Sequence, residues 1–422
     1  MNQPKALNKL ILVAALGYFV DIYDLLLFGV ERTHSLNEIL PLQFGSLTPQ
    51  KLAELNAIYG KQLLNWQMAG MLIGGIFWGI LGDKKGRLSV LFGSILTYSL
   101  ANIANGFVNT TDWYAAMRFI SGFGLAGELG AGITLVSETM NKERRGIGTM
   151  IVATVGVFGA VVAGFMSDVF SSWRHSFFFG GAMGLALLIL RIGVLESGMF
   201  NNIKEGSIKK GNILDLFGNR KRLLKYLCII FVTVPVWYVM GTLVIFSPEL
   251  FAKLSGDPAN AKLVTGGKAI MFAYSGITVG DLVCGAVSQW LKSRKKTLFI
   301  FLTLTVLAII VYFLIGGQSV TVYYSCIVFI GFATGYWAVF ISTASELFGT
   351  NIRSTATTTA PNFVRGSTIL ISYLLALMTT IFGKEGLTAT IVTGVIIITI
   401  AYWALYHLEE TFSKDLDYVE EN

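Results

Sequence analysis

Charge is scarce in this chain: 32 Lys and Arg with 25 Asp and Glu make up only 14% of its 422 residues. Soluble domains carry about a quarter, so a soluble fold is excluded, and the apolar richness excludes a disordered one. Cysteine is scarcer still. Cys228, Cys284 and Cys326 lie far apart, each inside an apolar run, which reads as small buried thiols and not as disulfides or metal ligands. The three histidines, His34, His175 and His407, have no ligand spacing. No cofactor, metal or redox centre is expected. The net charge of +7 does not point to nucleic acid, because the basic residues gather in alternate connections, an orientation signal.

What remains is apolar: 54% of the residues are hydrophobic, in runs of roughly twenty that recur along the chain, the length needed to cross a bilayer as a helix. Segments such as 299–315 and 388–405 lack the alternation of a barrel strand, and helices are the other element that satisfies its own backbone in lipid. The reading is an all-α membrane protein with twelve transmembrane helices, at about 10–30, 62–81, 89–108, 114–137, 147–170, 175–195, 226–247, 268–291, 297–315, 320–344, 355–382 and 387–406. The first run is too long and too acidic for a signal peptide. With the amino terminus inside, the inner connections hold 21 Lys and Arg and the outer ones 8, so both termini are expected in the cytoplasm. Compact connections suit a bacterial inner membrane. The outer segment 31–61 is a candidate lid over the external mouth.

The chain divides into two six-helix bundles, 1–196 and 226–422, joined by a basic cytoplasmic linker, 197–225, suited to lie on anionic lipid headgroups. They are copies. Glu138 to Arg145 is matched by Glu346 to Arg353 at an offset of 208, Glu196-Ser197 by Glu410-Thr411, and Gly79 by Gly285 at an offset of 206. Such repeats are the pattern of secondary transporters.

The connection after the second helix, Gly79-Ile80-Leu81-Gly82-Asp83-Lys84-Lys85-Gly86-Arg87, resembles the G-x-L-a-D-r-x-G-R signature of the major facilitator superfamily. Arg118 to Glu128 resembles the helix 4 segment of the metabolite:proton symporters. Trp173-Arg174, Ser345-Glu346-Leu347-Phe348 and the stretch from Glu410-Thr411 to Tyr418 are similar to that family and to its sugar-porter relatives. Ala126 replaces one glycine of that segment, and Gly198 and Gly349 stand where relatives often carry proline. The spacing Gly122, Gly124, Gly127 also fits a dinucleotide-binding pattern, but within an apolar helix it signals close helix contact.

Charges inside the bilayer carry the expected mechanism, since each costs a few kcal/mol unless paired, hydrated or functional. Asp21 and Asp24, three residues apart, share a helix face; two neighbouring carboxylates in apolar surroundings do not both ionise easily, so the pair is a candidate proton carrier. The resemblance implies that Asp24 exchanges a proton for contact with Arg118, with Glu128 or Asp21 completing the relay. Asp281, Asn362 and Arg365 are second-half candidates for substrate contact, Arg365 for an anionic group. Tyr23, Trp237, Tyr238, Tyr336 and Trp337 are candidate aromatic contacts. Gly79, Asp83, Gly86, Arg87, Glu138, Arg145, Glu196, Glu346, Arg353 and Glu410 form the expected inner gate. The chain is thus expected to be no enzyme but a monomeric, proton-coupled importer of a small polar metabolite: an amino acid, a betaine-like osmolyte or an organic acid. The alternatives are a proton-driven exporter of a siderophore or drug-like compound, and a non-transporting sensor.

Overall fold

The computed structural model describes residues 3–85, 87–128, 145–196, 218–349, 352–383, 387–412 and 414; the side chains of 3–10, 82–88, 145–150, 153, 192–196 and 353–354 are not described. The first six spans are α1 (Gln3–Phe44), α2 (Pro49–Lys85), α3 (Arg87–Asn105), α4 (Thr111–Leu125), α5 (Arg145–Val169) and α6 (Trp173–Glu196). The second six begin with α7 (Arg220–Tyr238), which runs through a π-helical turn, Val239–Val244, into a short α8 (Ser247–Ser255). They continue with α9 (Gly266–Leu291), α10 (Arg294–Ile315), a broken span made of α11 (Val320–Ala333) and α12 (Trp337–Glu346), α13 (Arg353–Phe382) and α14 (Thr388–His407). Among the described residues, nine spans are long and apolar enough to cross a bilayer by length and composition alone; α3, α4 and α5 complete the twelve.

The segment 31–61, expected as a connection, is mostly helix. The apolar run stops near Val30, but no glycine interrupts the segment that follows, and α1 runs on through Pro41 to Phe44, with α2 starting at Pro49. At 42 residues α1 measures about 63 Å, twice the hydrocarbon thickness. Its extension is pinned by the Arg174 guanidinium and Trp173 indole on Glu38, both at 2.8 Å, and by Asn56 on Asn37 at 2.7 Å.

The duplication runs deeper than the charged motifs. A Cβ at Gly70 of α2 would strike the Phe119 carbonyl and the Phe123 nitrogen of α4; one at Gly276 of α9 would strike the Val328 carbonyl and the Phe332 nitrogen of α11. Gly74 on Phe123 and Gly280 on Phe332 repeat this a turn later. The register is 206 along α2 and α9 and 209 along α4 and α11. Small residues let two backbones touch where lipid offers no hydrophobic drive for helix association. Gly122, Gly124 and Gly127 serve the same purpose, facing Gln67 of α2, Tyr98 of α3, and Ser94 with Trp78.

Both copies break at the same place. Helix α4 ends at Leu125 and turns at Ala126-Gly127; the second copy turns at Thr334-Gly335-Tyr336. Breaks inside a membrane need partners for the freed backbone groups. The Trp78 indole donates to the Phe123 carbonyl at 2.7 Å, and the Thr305 hydroxyl to that of Ala333 at 3.0 Å. Gly335 lies so close to α9 that a Cβ there would stand 2.6 Å from the Gly280 backbone. That closeness lets Asp281 cap α12, accepting from the Ala338 N–H at 3.1 Å and from that of Trp337.

Candidate functional site

Buried charge converges where the bundles meet. Arg365 of α13 and Asp21 of α1 are 1% and 0% exposed, with Nη2 3.8 Å from Oδ2. That is an ion pair but not a hydrogen bond. Neither Asp21 oxygen has a hydrogen-bond partner, and neither do Nε and Nη1 of Arg365. The Arg365 guanidinium also lies 5.7 Å from the Trp337 ring, whose indole N–H is unpartnered, as is Oδ2 of Asp281. Buried Tyr18 and Tyr274 surround these charges. This centre therefore presents buried donors and acceptors that no other side chain or backbone group takes up.

One turn along α1 lies Asp24, fully buried with both oxygens unpartnered. Arg118 and Asn102 are its polar neighbours, but Arg118 spends its Nη2 on the Ser121 hydroxyl at 2.7 Å and on Asn102 Oδ1 at 3.3 Å. The rings of Phe177 and Phe28 lie 5.3 and 5.9 Å from the same guanidinium. Asp24 and Arg118 are therefore neighbours without direct pairing.

Glu128 stands apart from Arg118. It is clasped by Arg191 of α6, with Nη1 to Oε2 at 3.1 Å and a second bond from Nη2 to Oε1. Gly17 makes room, since a Cβ there would overlap both partners. Arg191 is absent from the sequence candidates, yet a signal exists: apart from Lys268 at a boundary, only Arg118, Arg191 and Arg365 of the 32 basic residues fall within the spans as read.

Asn362 links the bundles, its side-chain amide donating to the Ala126 carbonyl at 2.9 Å, where α4 breaks. The aromatic candidates divide. Trp337 belongs to the centre; Trp237 is buried in α7. The hydroxyls of Tyr238, Tyr336 and Tyr23 are bound to the carbonyls of Thr390, Val232 and Ser176, contacts that tie helices together within a bundle.

Of the residues expected at an inner gate, Gly79 faces α13, with Thr359 3.8 Å from where its Cβ would be. Glu346 takes two bonds from Arg294, at 2.9 and 3.2 Å, and one from the Thr411 hydroxyl at 2.8 Å. Glu410 caps α10 through the Ser293 hydroxyl and the Arg294 N–H. Partial burial pushes the Glu410 carboxyl up, but these bonds and those from the Phe412 and Thr411 N–H groups outweigh it and hold the carboxyl below its usual range. Glu138 and Gly86, and the side chains of Asp83, Arg87, Arg145, Glu196 and Arg353, lie outside the described residues.

At the opposite end, Arg32 of α1, 1% exposed, grips Glu249 of α8 through bonds of 2.7 and 2.8 Å. Its guanidinium lies 4.4 Å from the Phe246 ring. This bidentate pair joins the two bundles just after the π-helical turn.

Comparison with known proteins gives the arrangement its family. The chain is 26% identical over 394 residues to the 3-(3-hydroxy-phenyl)propionate transporter of Escherichia coli strain K12, covering 88% of this chain and 91% of that one. It is 34% identical over 131 residues, 30% of each chain, to the niacin transporter NiaP of Acinetobacter baylyi strain ADP1. Its fold matches the structure of the proton:xylose symporter XylE bound to 6-bromo-6-deoxy-D-glucose, with a TM-score of 0.69 over 98% of both chains at 16% identity. Residues 57–373 match the Major Facilitator Superfamily, and with twelve helices in two duplicated bundles the chain belongs to that superfamily, as a membrane transporter of small metabolites.

Proposed function

We propose that the chain is a proton-coupled importer of a small organic acid, working by alternating access with both termini in the cytoplasm. The observation that carries this reading is the loose Asp21–Arg365 pair between the bundles. An ionised Asp21 neutralises Arg365 and competes with any incoming anion. A protonated Asp21 leaves the guanidinium free to grip a carboxylate through two parallel hydrogen bonds. Proton and anion then favour each other's binding, and the linkage is reciprocal. The Trp337 indole N–H and the aromatic neighbours suit a carboxylate on an apolar or aromatic body. The relative that carries 3-(3-hydroxy-phenyl)propionate supports that class over osmolytes and amino acids. Asp24, beside Arg118, is the second titrating group, poised to be loaded when the outer end opens.

The test is uptake of radiolabelled benzoate, nicotinate and 3-(3-hydroxyphenyl)propionate by proteoliposomes with an acid exterior. Accumulation above the external concentration and above the passive weak-acid uptake of protein-free liposomes is expected for at least one, and its collapse when a protonophore is added. Equal accumulation with the protonophore present and no other gradient excludes proton coupling.

The Arg32–Glu249 pair is proposed as the outer latch. A cysteine at Thr368, a buried residue one turn outward from Arg365, reports its opening. Arg32→Gln and Glu249→Gln should each raise labelling of Thr368→Cys by an impermeant thiol reagent about tenfold, the equivalent of ~1.4 kcal/mol in the opening equilibrium. The native cysteines are buried and give a low background. An unchanged labelling rate removes the pair from the gate.

A further inference from the structure

Above the central charges, toward the Arg32 end, lies a carboxylate that the foregoing mechanism does not use. Glu31 is 1% exposed. Its Oε1 accepts from the Ser176 hydroxyl at 2.6 Å, and its Oε2 lies 2.9 Å from Nδ1 of His34. The His34 side chain is 54% exposed, so this pair reaches from the outer surface into the bundle. Inward, Glu31 and Asp24 are seven residues apart on α1, two turns and about 10 Å along a single face. That face packs on α6 at Ser176 and Gly180, themselves one turn apart: Ser176 bonds Glu31, while a Cβ at Gly180 would meet Asp24 Oδ1 and the Tyr23 ring. The Tyr23 hydroxyl is bound to the Ser176 carbonyl at 3.2 Å, and both carboxylates act on it.

From these contacts we infer that Glu31 and His34 form the outer proton-loading site of the transporter, which collects a proton from the external medium and holds it for Asp24. The inference rests on the proton-coupled reading above. The proton first adds to the neutral imidazole. His34 Nδ1–H then donates to Glu31 Oε2, and transfer of that hydrogen leaves neutral imidazole and a carboxylic acid, with total charge unchanged. Release from Glu31 to the Asp24 carboxylate, through water admitted as the outer end opens, leaves Glu31 ionised again and Asp24 neutral.

The other charged and titratable groups around the pair are accounted for. Asp168 at the end of α5 acts on His34, adding negative potential that attracts protons. Tyr114 of α4 donates its hydroxyl to Ser35 at 3.2 Å. Arg32 turns to Glu249, and Arg174 of α6 to Glu38. Among the described residues no cation other than His34 is bonded to Glu31.

The test has two arms. In the first, infrared titration of the reconstituted protein, with no substrate added, follows the imidazole bands of isotope-labelled histidine between about pH 8 and pH 5, the window in which histidine changes charge. The His34 midpoint should move to about tenfold higher proton concentration in Glu31→Gln, which removes the bond that favours the imidazolium, and the His34 signal should vanish in His34→Asn. In the second, Glu31→Gln should raise about tenfold the external proton concentration needed for half-maximal uptake of the three probe acids. Counterflow of the same acids at equal pH on both sides should stay within twofold. Tyr114→Phe, which removes a hydroxyl bonded to Ser35 and not to Glu31, serves as a packing control and should move neither the titration nor the uptake profile by more than threefold. An unchanged Glu31→Gln titration, an unchanged uptake profile, or a parallel fall in counterflow overturns the inference. If the wild type itself shows no gradient-driven uptake, the coupling reading falls and the loading site with it. That outcome is recognised because it precedes any substitution.

Discussion

Arg365→Ala is expected to weaken binding of a carboxylate substrate by a factor of about 10² to 10³, while Asp21→Asn preserves binding and removes its response to pH. The first figure follows from two charge-assisted hydrogen bonds at roughly 1.5–3 kcal/mol each, less what the freed Asp21 recovers. Arg365→Lys keeps the charge but loses the planar fork, so about a tenfold loss is expected. The sign of the pH effect follows from linkage. The protonated form of Asp21 binds the anion better, so wild-type affinity rises as pH falls through the titration of that carboxyl. The neutral amide introduced by Asp21→Asn imitates the protonated form at every pH. Equilibrium binding, read by thermal shift against the three probe acids, separates these outcomes. Uphill uptake should be lost in Arg365→Ala and Asp21→Asn alike, the first for want of binding and the second for want of coupling. Gradient-driven accumulation by Asp21→Asn at the wild-type level would remove Asp21 from the coupling mechanism.

Much of this protein is legible in its sequence because a bilayer constrains the chain so strongly. Apolar runs of bilayer length mark most of the spans, and the repeated Glu-to-Arg spacings mark the duplication. Two aspartates three residues apart, and an arginine in α13, stand out because charge inside the bilayer is rare. Partners are harder to read. Arg365 lies 344 residues from Asp21, and no local pattern indicates that α1 and α13 meet. Family likeness pairs Asp24 with Arg118 and offers Glu128 only as a further relay member, and the Arg191 that holds Glu128 escapes notice because it stands near the end of an apolar run. The breaks in α4 and between α11 and α12 are invisible for another reason. A glycine in an apolar helix reads equally as a packing notch or a turn, and only the approach of Gly335 to Gly280 decides it. The helical extension of α1 reads as a connection because hydropathy reports the bilayer and not the helix.

The Glu128–Arg191 clasp yields the second large effect. Removing one member of a buried ion pair leaves an uncompensated charge and costs about 3–5 kcal/mol. Glu128→Ala and Arg191→Ala are each expected to lower the thermal stability of the purified protein sharply and to reduce its yield. The double variant Glu128→Gln with Arg191→Met, which removes both charges at similar volume, should recover at least half of that loss, since buried pairs replaced by neutral groups are often close to neutral in stability. The double variant also separates structure from mechanism. If Glu128 only fastens α4 to α6, the double variant transports with an unchanged proton dependence. If Glu128 takes a proton during the cycle, the double variant is stable, binds substrate and carries out counterflow, but does not concentrate it. Gly17→Ala is an independent probe, because its added methyl would press on both members of the clasp while leaving their charges in place. A small stability loss together with impaired uphill uptake in that variant would place the clasp in the transport cycle. A stability loss with normal coupling would make it a brace at the break in α4.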